Sequence, residues 1–139
     1  MSLLARRLSL ALRSNAVQTA PDDPDPRLRG RTYAIPFDQV WEAALALAKG
    51  GLRGWKLEKA DDYDGVIHAT ATTLVMRAID DVAISISLDA NGQTRVDMSS
   101  RSRKGVGDLG TNARRVAHFC RALDKSLQRA RKAAAARKS

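Results

Sequence analysis

Two hydrophobic periods alternate along this chain, and their order predicts its architecture. Thr32 to Ile35 reads as a short strand, and Pro36 then stands where a helix can begin. Phe37, Val40, Trp41, Ala44, Leu47 and Ala48 fall on one helical face, which Gly50 and Gly51 terminate. Trp41 is large enough to anchor that helix on a sheet. From Trp55 the period becomes two. Trp55 and Leu57 alternate with Lys56 and Glu58, and the turn DDYDG leads into the β-branched run Val66 to Thr73. In the next run Val82, Ile84, Ile86 and Leu88 point one way while Ala83, Ser85 and Ser87 point the other. Asn91-Gly92 is a hairpin signal into Thr94 to Arg103, with Val96 and Met98 inward. If Ile67 and Ala69 face the core, His68, Thr70 and Thr72 join the serines on a wet face. At about Leu109 the helical period returns, with Leu109, Ala113, Val116, Cys120, Leu123 and Leu127 on one stripe widened by Phe119.

Strands with one apolar side, bracketed by two amphipathic helices, imply an α+β fold. We expect an antiparallel sheet of four to five strands in the order β-α-β-β-β-β-α, with both helices on its apolar face, in a helix-grip-like or TATA-binding-protein-like arrangement. A single domain over 31–127 accounts for the periodic segments. Residues 1–30 form a basic segment followed by the Pro-rich stretch APDDPDPRLRG, which reads as an extended linker, and 128–139 form a basic Ala/Arg/Lys tail.

Charge is distributed unevenly over these parts. The formal net charge is +9. Residues 1–31 carry six Lys/Arg against three acids, 32–100 carry six against ten, and 101–139 carry twelve against two. The middle of the chain is mildly acidic and its ends are basic, an asymmetry suited to nucleic acid or an anionic membrane surface. The opening MSLLARRLSLALR mixes leucine and arginine, but its apolar run is too short for a membrane span or a secretory core. It reads as a terminal helix of a cytoplasmic protein, with membrane-surface contact or an organellar transit peptide as the other readings of the same pattern. The lone Cys120 lies on the apolar stripe and reads as a packed thiol.

One stretch has the ingredients of a site. In RSRKGVGDLGTNARR, from Arg101 to Arg115, Gly105, Gly107 and Gly110 let successive N–H groups converge, and Asp108 is a candidate cap for the helix that follows. Arg101 and Arg103 approach along the strand, and Arg114, His118, Arg121 and Lys125 form a basic stripe opposite the apolar one. A helix start with arginines around it attracts anions. The candidate residues are therefore Arg101, Arg103, Gly105, Gly107, Asp108, Gly110, Asn112 and Arg114. The competing reading is a capped strand-to-helix connection in which Asp108 itself fills the anion position. The stretch matches neither GxxxxGK[ST], since Lys104 precedes the glycines, nor GxGxxG, which only Gly105 and Gly107 begin correctly.

The run VDMSSRSRKGVGDLGTNARRV, from Val96 to Val116, resembles the signature of family 1499 of the domains of unknown function. In that family a strand carrying Ser and Arg leads through GxxDLGxNxxR into the last helix. The similarity continues upstream in YAIPFDQVWEAALALA, in Gly54-Trp55, in DDYDGVIHATATT and in Asp80-Asp81, so that it spans about Arg31 to Asp124. Ser99, Gly107 and the stretch LVMRA from Leu74 to Ala78 depart from the family pattern. The resemblance implies a fold and no particular activity.

Other chemistries find no support in the spacing. Asp62, Asp64 and Gly65 match positions three, five and six of a calcium loop, but Ala60 and Ala71 occupy its first and last ligand positions. His68 and His118 lack Cys or carboxylate neighbours at ligand spacing, and Ser99, Ser100 and Ser102 lie on a strand without a nucleophile elbow. No metal, cofactor or catalytic residue is expected. Asp80 and Asp81 alternate in direction, and one of them is expected to pair with Arg101 or Arg103. Three function classes remain. The first is a non-enzymatic binding module whose partner is a small anionic ligand or an acidic protein. The second is association of the basic termini with nucleic acid or an anionic membrane. The third is an enzyme with a pocket between sheet and last helix, whose acid would be Asp80 or Asp81.

Overall fold

The computed structural model describes residues 16–73, 77–103 and 109–138. Its elements are β1 (Ala16–Gln18), β2 (Arg31–Tyr33), α1 (Phe37–Ala46), β3 (Trp55–Asp61), β4 (Val66–Thr72), β5 (Ile79–Leu88), β6 (Thr94–Ser102) and α2 (Leu109–Lys138). The strands form one antiparallel sheet in the order β1-β6-β5-β4-β3, and β2 pairs with β6 as well. The fold is α+β, as the alternating periods predict.

The sheet has six strands rather than four or five, and the addition comes from the end of the N-terminal segment, just ahead of the stretch expected to be linker. Val17 is buried on the core side, and Ala16, Val17 and Gln18 pair with Arg101, Ser100 and Ser99 of β6. The Thr19 N–H donates to the Met98 carbonyl at 2.9 Å, and its hydroxyl accepts from the Met98 N–H and donates to Asp97. The three prolines then turn the chain rather than leaving it extended. A short 3₁₀ turn at Pro26–Leu28, capped by the Asp25 carboxylate, brings β2 onto the same edge of β6 farther along. Two short strands thus share one edge that would otherwise expose unpaired backbone groups. Arg95 and Asp97 secure the connection from the outer face, with the Arg95 guanidinium donating to Asp97 and to the Arg29 carbonyl.

Helix α1 begins behind Pro36, whose carbonyl accepts from the Gln39 and Val40 N–H groups. It ends in a widened turn, Leu47–Gly51, in which the Leu52 N–H reaches the Leu47 carbonyl and Gly50 adopts φ 123°. The turn after β3 is held by Asp61, whose carboxylate accepts from the N–H groups of Tyr63 and Asp64. It closes through Gly65 at φ 71°, where a Cβ would lie 2.1 Å from the Ile86 carbonyl oxygen. Only glycine fits there.

Both helices lie on one face of the sheet, and the core is what they enclose. Val40, Trp41, Ala44 and Ala48 of α1 and Val116, Phe119, Cys120, Leu123 and Leu127 of α2 pack against Ile67, Ala69, Ala71, Val82, Ile84, Ile86, Val96 and Met98. Trp55 stacks on Phe119 with ring centroids 5.5 Å apart. Leu88, expected inward, is 62% exposed because it ends β5 beside the hairpin turn, beyond the helical cover. A separate clamp ties β2 to α2: Asp124 accepts from the Tyr33 hydroxyl at 2.6 Å and from Arg31 Nε. Burial, reinforced by the Asp124 carboxylate, pushes the Tyr33 phenol well above its ordinary range.

Candidate functional site

The candidate site lies where β5 begins, β6 ends and α2 starts. Pairing sets Asp80 opposite Ser102, Asp81 opposite Arg101 and Val82 opposite Ser100. Alternation then divides these side chains between two environments. Asp80 and Ser100 turn inward with Val82 and Met98, whereas Asp81 and Arg101 face outward.

On the outer side Arg103 reaches diagonally to Asp81, with Nη2 at 2.9 Å and Nε at 3.1 Å from its two oxygens. This is one of the pairings expected from the sequence. Both side chains are about half exposed, at 49% and 53%, so solvent screens the pair. Arg101 is exposed in the neighbouring outward position.

On the inner side lies a polar cluster that the sequence reading missed. Ser100 Oγ donates to Asn112 Oδ1 at 2.6 Å, and Asn112 Nδ2 donates to Ser102 Oγ at 3.2 Å. Arg115, one turn along α2, donates from Nη2 to Asp80 Oδ2 at 2.7 Å. The two side chains of this ion pair are 12% and 3% exposed, so it sits essentially inside the domain. Arg115 Nε is buried beside it without a hydrogen-bond partner. The signal was available in the pattern: Asp80 shares its parity with Val82, Ile84 and Ile86, and a carboxylate at a core position calls for a buried cation.

The eight residues singled out from sequence are distributed as follows. Gly105, Gly107 and Asp108 lie outside the described residues, as do Lys104 and the N-terminal MSLLARRLSLALR. Gly110 is in the first turn of α2, which begins at Leu109 as the pattern predicts. Asn112 is fully buried and bridges the two serines instead of facing an incoming ligand. Arg101 and Arg114 are exposed, and Arg114 Nη2 lies 3.2 Å from the Thr111 hydroxyl oxygen. Arg103 is engaged by Asp81. Beyond Arg114, His118, Arg121 and Lys125 continue the exposed file along the side of α2 away from the sheet. The one acid within that stretch, Asp124, is taken by Arg31 and Tyr33.

Among the described residues, no group of three or more His, Cys, Asp or Glu is arranged to hold a metal ion, and no helix is long and apolar enough to cross a membrane. Burial raises the Cys120 thiol above its ordinary range, which suppresses the thiolate. A depression of about 210 Å³ lies on the outer face of the sheet, lined by Gln18, Val66, Ala83, Ser85, Asp97 and Ser99.

These features define a small α+β domain in which one antiparallel sheet is covered on a single face by two helices, with a polar seam at the start of the second. The chain belongs to the family described as a protein of unknown function, DUF1499, whose model matches residues 9–123. That span begins upstream of the Arg31 limit read from sequence and takes in β1. No curated protein matches the chain.

Proposed function

We propose that this protein is a non-enzymatic binding module that receives an anionic group where β6 delivers Arg101 and Arg103 to the start of α2. The observation that carries this reading is the exposed basic file Arg114, His118, Arg121 and Lys125, which runs from the first turns of α2 along its outward side. The buried polar groups nearby are joined to one another: Asp80 to Arg115, and Asn112 to Ser100 and Ser102. This division favours recognition over reaction, because the inner groups hold the helix to the sheet while the outer ones face solvent. The positive end of the α2 dipole adds to the charge of the arginines.

The test is an amide chemical-shift titration with pyrophosphate and, separately, with a glutamate-rich peptide. The expected result is saturable shifts confined to residues 101–103 and 109–121, abolished in Arg101→Gln/Arg114→Gln with no change in melting temperature. Absence of saturable shifts there with both probes, or shifts that persist in the double variant, would overturn the reading.

A further inference from the structure

The apolar stripe of α2 ends at Leu127, yet the helix continues to Lys138 with every residue from Gln128 onward exposed. At about 1.5 Å per residue, this overhang extends roughly 16 Å beyond Leu127, the last buried residue of the helix. Its sequence explains why it stays helical while exposed. Ala, Arg and Lys have high helix propensity, the packed part of α2 has already met the nucleation cost, and Arg137 and Lys138 favour the negative end of the helix dipole.

The arm has no acid and five cations: Arg129, Arg131, Lys132, Arg137 and Lys138. Their placement matters more than their number. Arg129 and Lys132 prolong the outward file of Arg121 and Lys125, whereas Arg131 falls four residues after Leu127 and continues the line that faces the sheet farther back. The arm is therefore cationic on opposite sides, with only alanine between the charges.

That distribution discriminates among anionic partners. A helix lying on a membrane needs one apolar face to insert, and a helix docking in a protein groove needs large apolar anchors at intervals of three and four; the arm offers neither. Single-stranded nucleic acid is held by aromatic stacking, and the arm has no aromatic residue. A partner with anions on two walls matches cations on two sides. The major groove of B-form DNA is such a partner: it is about 12 Å wide, admits an α-helix about 10–12 Å in diameter, and is flanked by both phosphate backbones. The geometry points to the overhanging end of α2 as a binding element for duplex DNA, seated in the major groove and held by phosphate contacts without sequence preference. This does not rest on the anion site proposed above, since it uses residues 129–138 rather than the helix start.

The test is fluorescence anisotropy with a labelled random-sequence DNA duplex at several salt concentrations, comparing the full chain with a chain ending at Gln128 and with a chain carrying Gln at all five cations. Both variants should keep the parent melting temperature, because every residue of the arm from Gln128 to Lys138 is exposed. Both should bind at least about tenfold more weakly, and the slope of log affinity against log salt should flatten by about 4.5, near 0.9 for each cation removed. Duplex RNA, whose major groove is too narrow for a helix, should bind the full chain more weakly than DNA. The inference is overturned if truncation leaves duplex affinity unchanged, if duplex RNA binds as tightly as DNA, or if phosphatidylserine vesicles capture the arm and DNA does not. Loss of the pyrophosphate response in Arg101→Gln/Arg114→Gln with intact DNA binding would leave this inference standing, and a saturable pyrophosphate response in the full chain without duplex binding would remove it alone.

Discussion

The Asp80–Arg115 pair makes a sharp test of how the seam at the start of α2 is held. Replacing Asp80 with Ala leaves a guanidinium that is 12% exposed with neither Nη2 nor Nε satisfied by protein. Removing one member of a buried pair costs about 3–5 kcal/mol, a large part of the roughly 5–15 kcal/mol that stabilises a domain. Arg115→Met should cost a similar amount by stranding the carboxylate, while its unbranched chain refills the space. In the double variant Asp80→Ala/Arg115→Met no charge is left behind, so the total should fall short of the sum of the singles by about 2–3 kcal/mol. Urea unfolding of the four proteins measures this, with the denaturant slope held constant as the check that only stability has changed. The single variants should also melt roughly 10 °C or more below the parent. An Asp80→Ala variant within about 1 kcal/mol of the parent, or singles that add within about 0.5 kcal/mol, would refute the argument and return Asp80 to consideration as a group with another task.

Three further expectations follow from the buried groups. Tyr33→Phe should cost about 1–2 kcal/mol by removing the donor to Asp124, read from urea midpoints. The folded-state pKa of Tyr33 is raised, so its contribution is complete below the unfolded value near 10 and is lost as pH rises above it. The parent should therefore lose more stability than Tyr33→Phe between neutral and alkaline pH; equal losses would contradict this. Cys120 should resist alkylation in the native protein and react at the rate of unfolding, and fast native labelling followed by mass spectrometry would show otherwise. Gly65→Ala should destabilise by at least roughly 1–3 kcal/mol, because positive φ and the Ile86 carbonyl oppose a side chain; a neutral substitution measured by thermal melting would contradict the geometry.

Which elements form, and which face of each is apolar, follows from the sequence alone, because periods of 2 and 3.6 are local properties of the chain. Val82, Ile84 and Ile86 announce a half-buried strand, and Val116, Cys120, Leu123 and Leu127 announce the helix over it. The start of α2 at Leu109 was legible for the same reason, and so was the pairing of one of Asp80 and Asp81 with Arg101 or Arg103, although only the register of β5 on β6 selected Asp81 and Arg103. Strand β1 was not legible. Three residues with one buried valine show no period, and they become a strand only because β6 presents an unpaired edge to them. The inner half of the candidate site was hidden by distance. Asp80 and Arg115 are separated by 35 positions, and their pairing exists only once α2 docks across the ends of β5 and β6. That docking also decided the role of Asn112. Helical spacing places it beside Ala113 and Val116 without saying whether it faces solvent or seam, and the crossing of helix over sheet turns it onto Ser100 and Ser102.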